Sequence, residues 1–521
     1  LTAPLFGLYP QSDFRVTDGR CRDCPTIPQA LWYFESETIA VPNSGVLVAS
    51  FTRGVDVGAD LRAWLSSHSP ESLPEYPQLV WIAAPQVVSG ARLSADAATV
   101  ESANARLRFE LVPKIALNRS YFDASSARFF RERTVRIRGT IVGDTIVART
   151  LWPEDFRLDR AAPARALDSN VPVTLALRAL IRSDPRGGAQ SPFAVWSLWQ
   201  RDRACDPLAA GGAALGIMVN GAQGDDDEAH GGHFALVTGL VQENGSIGDW
   251  LTNNFYSLDI ESEKGIIAAP VPLDNYLADL NSGQNWYRPS HMLVAILRDA
   301  RAPFLLQGAF NRVYNQFWRH QLVYRHATMN CTSISVDVLR RIGWNIPVRG
   351  SASRLTAVLA FPWFVVKERS IAKACTAVDY LWEDQTRLLP AAAFEEIGAS
   401  LFELASAAPS QETPTTELTR MIAEDVEAIF FVRFPQIPSS RAVGDAPVVT
   451  PREFQSRLPK VPQLVPVADR PFPDALRDAD LRPPPRPASA YAAAIWGTLL
   501  VVGIPIYLYR LWRRWRARNA S

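Results

Sequence analysis

Met329-Asn330-Cys331-Thr332-Ser333 runs directly into Ile334-Ser335-Val336-Asp337-Val338-Leu339-Arg340-Arg341-Ile342, and Gly343 closes the stretch. Ile334, Val338, Leu339 and Ile342 recur at helical spacing, so the pattern predicts an amphipathic helix that begins at the cysteine and stops at the glycine. A helix start presents unpaired backbone N–H groups and the positive end of the macrodipole, and both favour a thiolate. Cys331 is therefore the candidate nucleophile.

Roughly a hundred residues earlier, His230-Gly231-Gly232-His233 opens the apolar run Phe234–Val241, which reads as a central strand. Asn244-Gly245 is a hairpin turn signal, and Asp249–Tyr256 is the return strand. A turn centred on Asn244-Gly245 pairs residues whose numbers sum to about 489, which sets Asn254 beside His233 on one face. A slip of one residue would present Asn253 instead. Either amide could orient the imidazole of His233 as the base for Cys331, while the backbone N–H of Cys331 and the Asn330 side chain would stabilise an oxyanion. His230 would line the same cleft, and His326, five residues before Cys331, competes as a base.

The acidic loop Asp225-Asp226-Asp227-Glu228 abuts His230 and His233, which raises a metal-dependent alternative. Its His-x-x-His spacing lacks the glutamate of the metalloprotease helix, and Gly231-Gly232 opposes a helix there. A solvated acidic loop is the preferred reading, and no metal or other cofactor is expected.

The order of a histidine strand, an amide-bearing partner strand and then Asn330-Cys331 at a helix start resembles the circularly permuted papain-like hydrolases and acyltransferases. These belong to the NlpC/P60 superfamily in its wide sense, including the LRAT-like branch. Trp250-Leu251-Thr252-Asn253-Asn254-Phe255-Tyr256 also resembles the asparagine-bearing strand of papain-like proteases. The likeness spans about 215–345. It implies an α+β hydrolase domain with Cys331 as nucleophile, His233 as base and Asn254, or Asn253, as orienting residue. Acyl transfer at an amide, peptide or ester would pass through a thioester, with cell-wall peptide as one substrate class and lipid acyl chains as the alternative. A non-catalytic envelope binding or assembly role is the contrasting class.

The remainder of the chain frames this domain. With 54 basic and 53 acidic residues in 521, net charge is +1, and nucleic acid is excluded as an expected partner. Residues 1–170 read as a β-rich barrel or sandwich, with a hairpin across Thr134–Leu151 as its clearest element. Cys21-Arg22-Asp23-Cys24 fits a local disulfide. Residues 171–385 form the hydrolase domain and 386–434 a helical hairpin. A proline-rich spacer covers 435–487, and 488–510 reads as a transmembrane helix followed by the basic tail 511–521. Arg510, Arg513, Arg514, Arg516 and Arg518 place that tail in the cytoplasm by the positive-inside rule. The expectation is a protein held in a cell inner membrane by one C-terminal helix, with its bulk in the periplasm.

Overall fold

The computed structural model of the chain describes residues 4–24, 28–43, 57–67, 75–103, 105–112, 122–182, 191–201, 206–221, 232–255, 268–318, 322, 324–351, 353–406, 416–439, 507 and 509–510. The molecule is α+β. Short N-terminal strands β1 (Leu5–Phe6) and β2 (Tyr9–Pro10) form a hairpin, and β3 (Phe14–Asp18), β4 (Thr38–Pro42) and β5 (Val80–Ala83) form a small antiparallel sheet. Helices α1 (Pro28–Tyr33) and α2 (Val57–Ser67) interrupt them. Cys21 and Cys24 are joined by the expected disulfide.

Strands β6 (Gln86–Leu93), β7 (Thr99–Glu101), β8 (Arg106–Leu111), β9 (Val135–Val142) and β10 (Thr145–Pro153) close into a barrel. The Thr134–Leu151 stretch gives its β9–β10 hairpin, turning at Gly143, whose positive φ of 62° suits a residue without Cβ. Phe109, Val135, Ile137, Ile146 and Leu151 fill the interior, and Phe130 of α3 (Ala124–Arg131) plugs it.

Helix α4 (Val173–Arg182) leads to the main sheet, seven antiparallel strands in the order β11-β17-β16-β12-β13-β14-β15. Their ranges are β11 (Ala194–Gln200), β12 (Ala213–Asn220), β13 (His233–Leu240), β14 (Leu251–Asn254), β15 (Ala269–Pro272), β16 (Ser290–Leu297) and β17 (Val426–Phe434). Strands β12 and β16 are buried at every position, as central strands covered on both faces must be. Between β15 and β16 lie α5 (Leu273–Ala278) and α6 (Gln284–Tyr287). Then α7 (Arg301–Trp318), α8 (Cys331–Arg341), α9 (Arg354–Glu368), α10 (Ile371–Trp382), α11 (Gln385–Leu388), α12 (Pro390–Ser406) and α13 (Glu417–Asp425) precede β17.

Two parts of the expected architecture are corrected. The stretch 386–434 is not a helical hairpin appended to the domain. Its last nine residues, Val-Glu-Ala-Ile-Phe-Phe-Val-Arg-Phe, are β17, buried between β11 and β16. Their aromatic and β-branched content favours a pleated, covered strand over a helix. The helical hairpin of the fold is instead α9–α10. Second, no helix among the described residues is long and apolar enough to cross a membrane. The described fold therefore does not contain the expected transmembrane helix. The stretch 488–510 lies outside the described residues except for 507, 509 and 510, as do 440–487 and the tail.

The barrel is fastened to α5 and its flanks by buried ion pairs. Arg138 meets Asp274 at 3.1 Å, Arg136 pairs with Asp249, and Arg149 meets Asp279 at 2.6 Å and Glu37 at 3.1 Å. This junction matters because α5 also reaches the candidate site.

Candidate active site

The ladder between β13 and β14 pairs Leu236 with Asn253, Val237 with Thr252 and Thr238 with Leu251, the register expected from the residue sum of 489, although the connection is the longer loop 241–250. Successive side chains on a strand alternate faces, so Asn254 falls on the His233 side and Asn253 on the other. His233 Nε2 lies 2.9 Å from Asn254 Oδ1. A carbonyl oxygen only accepts, so with this amide orientation Nε2 carries the proton and Nδ1 is the basic nitrogen. Asn253, the alternative orienting residue, turns to α7 instead. Its Nδ2 donates to Gln307 Oε1 at 3.1 Å, and its Oδ1 accepts from the Tyr314 hydroxyl at 3.1 Å.

Cys331 is the first residue of α8, and the helix start is built by a reciprocal cap. Asn330 Oδ1 accepts the Ser333 N–H at 2.9 Å while Ser333 Oγ accepts the Asn330 N–H at 2.7 Å. The other end of the Asn330 amide donates to the carbonyls of His326 (2.8 Å) and Leu388 (3.2 Å). Asn330 is thus committed to shaping the turn, and its Nδ2 would have to leave both carbonyls to serve an oxyanion. The Cys331 N–H donates to the Tyr324 hydroxyl at 3.4 Å. Helix α8 packs on β13, and the backbone of Phe234, the residue after His233, favours the Cys331 thiolate against the effect of burial. Thiol and imidazole therefore sit at the same end of the same strand.

Both groups are about 4% exposed, and burial governs their charge. It raises the Cys331 thiol, opposed by the Phe234 backbone bond, the Thr332 and Tyr324 hydroxyls and the positive Arg288. It pushes His233 down to about 3, assisted by Arg288 and opposed by the Asn254 bond. The expected resting thiolate is corrected accordingly. A helix terminus contributes about 0.3–1 kcal/mol, less than one pKa unit, whereas burial moves a group by up to about 3–5 units. Burial thus favours the neutral thiol and the neutral imidazole.

Residues that no spacing in the sequence tied to Cys331 complete the site. The Tyr276 ring of α5 stands 6.0 Å from the His233 ring, and its hydroxyl donates to Asn220 Oδ1 at 2.6 Å. Asn220 is the β12 partner of His233, and its Nδ2 donates to Ser290 Oγ at 2.7 Å, which in turn donates to Asn285 Oδ1 at 2.7 Å. The buried Arg288 guanidinium donates to Gln284 Oε1 (2.9 Å) and the Gly221 carbonyl (3.3 Å), and its charge reaches His233, Tyr276 and Cys331. These groups converge because β16, β12 and β13 are neighbours, an order that only the folded sheet reveals. The nearest signal in the sequence was a polar residue at one end of each apolar strand run, Asn220 closing β12 and Ser290 opening β16.

His230 and Asp225–Asp227 lie outside the described residues. His326 is edge-on to Tyr324, with ring centroids 5.3 Å apart, on the turn before α8. Among the described residues, the group with metal-ligand geometry is Cys21, Asp23 and Cys24, remote in sequence from Cys331 and already closed as a disulfide.

Comparison of the chain with protein-family models, with curated proteins and with solved structures gives no match.

Proposed function

We propose that the protein is a cysteine hydrolase or acyltransferase that cleaves an amide or peptide bond, cell-wall peptide being one candidate substrate, through a thioester on Cys331. The observation that carries this reading is the 2.9 Å contact of Asn254 with His233 Nε2 on the strand against which α8, headed by Cys331, packs. His233 Nδ1 takes the thiol proton as sulfur attacks the carbonyl carbon, and Asn254 steadies the imidazolium that forms. The Cys331 N–H, at the helix start, would pass from the Tyr324 hydroxyl, which it meets at 3.4 Å, to the tetrahedral oxyanion. The imidazolium returns its proton to the leaving amine. Water or a second nucleophile, deprotonated by His233, then cleaves the thioester.

The test is pre-steady-state reaction with p-nitrophenyl acyl esters. The expected result is a burst of nitrophenolate approaching one per chain, absent from Cys331→Ser and slowed roughly 10²–10⁴-fold in His233→Ala. Nitrophenolate release that is the same in wild type and Cys331→Ser would overturn the proposal.

A further inference from the structure

Helices α9 and α10 form a hairpin with a small core of its own, Ala357, Phe361, Ala374 and Val378. Ser353 and Ser370 cap the two helix starts, and Arg369, in the left-handed conformation at φ 49°, makes the turn between them. Leu355 through Val366 is a run of twelve residues without a charge. One side of α9 is spent on α10. The other carries Leu355, Leu359, Trp363 and Val366 at helical spacing, and Ile371 stands just beyond the turn. Exposure is 70% at Leu355, 56% at Trp363, 77% at Val366 and 65% at Ile371. A helix apolar on both sides is built for two apolar environments, and α10 supplies one. Apolar exposure on this scale marks an interaction surface.

The charges beside it identify the second environment. Within 353–382 the basic residues are Arg354, Lys367, Arg369 and Lys373, against Glu368 and Asp379, and three of the four cations cluster at the turn. Lys367 Nζ rests 4.7 Å from the Trp363 ring centroid, its stem lying along the apolar face with its ammonium at the edge. An apolar face bearing tryptophan, rimmed by cations, complements a hydrocarbon boundary covered by anionic headgroups. At 15 residues α9 is about 22 Å long, shorter than the roughly 30 Å hydrocarbon layer. It suits lying along a surface rather than crossing one.

We propose that the outer face of the α9–α10 hairpin docks on an anionic lipid bilayer, burying Leu355, Leu359, Trp363 and Val366 in the interface while Lys367, Arg369 and Lys373 engage phosphates. This surface is independent of the Cys331 chemistry and stands or falls apart from it.

The test places an environment-sensitive fluorophore on Val366→Cys in the full chain, with Cys205, Cys331 and Cys375 replaced by Ser. The same label on Ala63→Cys, an exposed site on α2, is the control. With phosphatidylglycerol-containing vesicles, the label at 366 becomes shielded from aqueous iodide and quenched by nitroxide lipids, and the label at 63 does not. Changing Lys367 and Lys373 to Gln raises the lipid concentration needed for half-maximal shielding roughly thirty-fold. The readout is local. Vesicle binding that leaves position 366 in water overturns the proposal, as does equal shielding by purely zwitterionic vesicles. Shielding that develops without lipid as protein concentration rises identifies a second copy as the occupant and likewise overturns it.

Discussion

Asn254 and Asn253 are adjacent in sequence and opposite in consequence. Asn254 holds the His233 ring, and Asn253 ties β14 to α7 through Gln307 and Tyr314. Asn254→Ala removes the acceptor that orients the His233 ring and should lower the acylation rate about ten-fold or more, whereas Asn253→Ala should leave that rate close to wild type. Asn253→Ala removes the acceptor of the buried Tyr314 hydroxyl, while Gln307 keeps Thr238 and Asn311, and should cost about 1–3 kcal/mol of stability. Acylation kinetics and denaturant unfolding on the two variants separate these roles. The histidines add a pH dependence. Burial pushes both His233 and His291 down to about 3, and His291 Nδ1 has no hydrogen-bond partner. Their folded pKa values lie below the unfolded value of about 6.5, so between those limits the unfolded chain binds more protons. The stability these histidines contribute is present above pH 6.5 and is lost as pH falls toward 3, by up to about 1.4 kcal/mol per pH unit for each. Unfolding midpoints at pH 7 and pH 4.5 should show this loss, and His291→Leu, which suits the apolar contact with Phe431, should reduce it.

Helix α5 links the barrel to the site, since Asp274 and Asp279 bind barrel arginines while Tyr276, between them, faces His233. Arg138 and Asp274 are both almost fully buried. Asp274→Ala would leave Arg138 as an uncompensated buried charge and should cost about 3–5 kcal/mol. Replacing both partners, Arg138→Met with Asp274→Leu, should restore much of that loss, because the desolvation penalty goes with the charges. Thermal unfolding of the single and double variants tests this, and equal destabilisation by both would show that the ion pair is not what fastens the two parts. At this scale the legible elements were those with a local cause. The β13–β14 pairing keeps the residue sum read from Asn244-Gly245, the Asn330–Ser333 cap starts α8, and Gly143 turns the β9–β10 hairpin. Strand β17 was not legible, because its partner β11 is more than two hundred residues away and its predecessors α12 and α13 carry a helical pattern up to its first residue.

At the scale of the molecule, the N-terminal region proves to be part of the site's framework. It supplies the barrel that grips α5, and Asp60 of α2 binds Arg312 of α7 at 2.7 Å. Nothing in residues 1–170 read alone pointed to α5 or α7, because the contacts form between surfaces far apart in sequence. The same limit explains the resting state of Cys331. Its helix start was visible in the sequence, but the burial that outweighs it comes from β13, the Tyr276 helix and the Tyr324 turn together. The central claim is that Cys331 becomes covalently acylated with His233 as base. It is tested most directly by quenching the reaction with an activated acyl ester in acid and mapping the adduct by peptide mass spectrometry. The expected result is a single hydroxylamine-labile acyl group on Cys331, far less abundant at equal time in His233→Ala. An adduct mapped to another residue, or Cys331 acylated as fast in His233→Ala as in wild type, would contradict it.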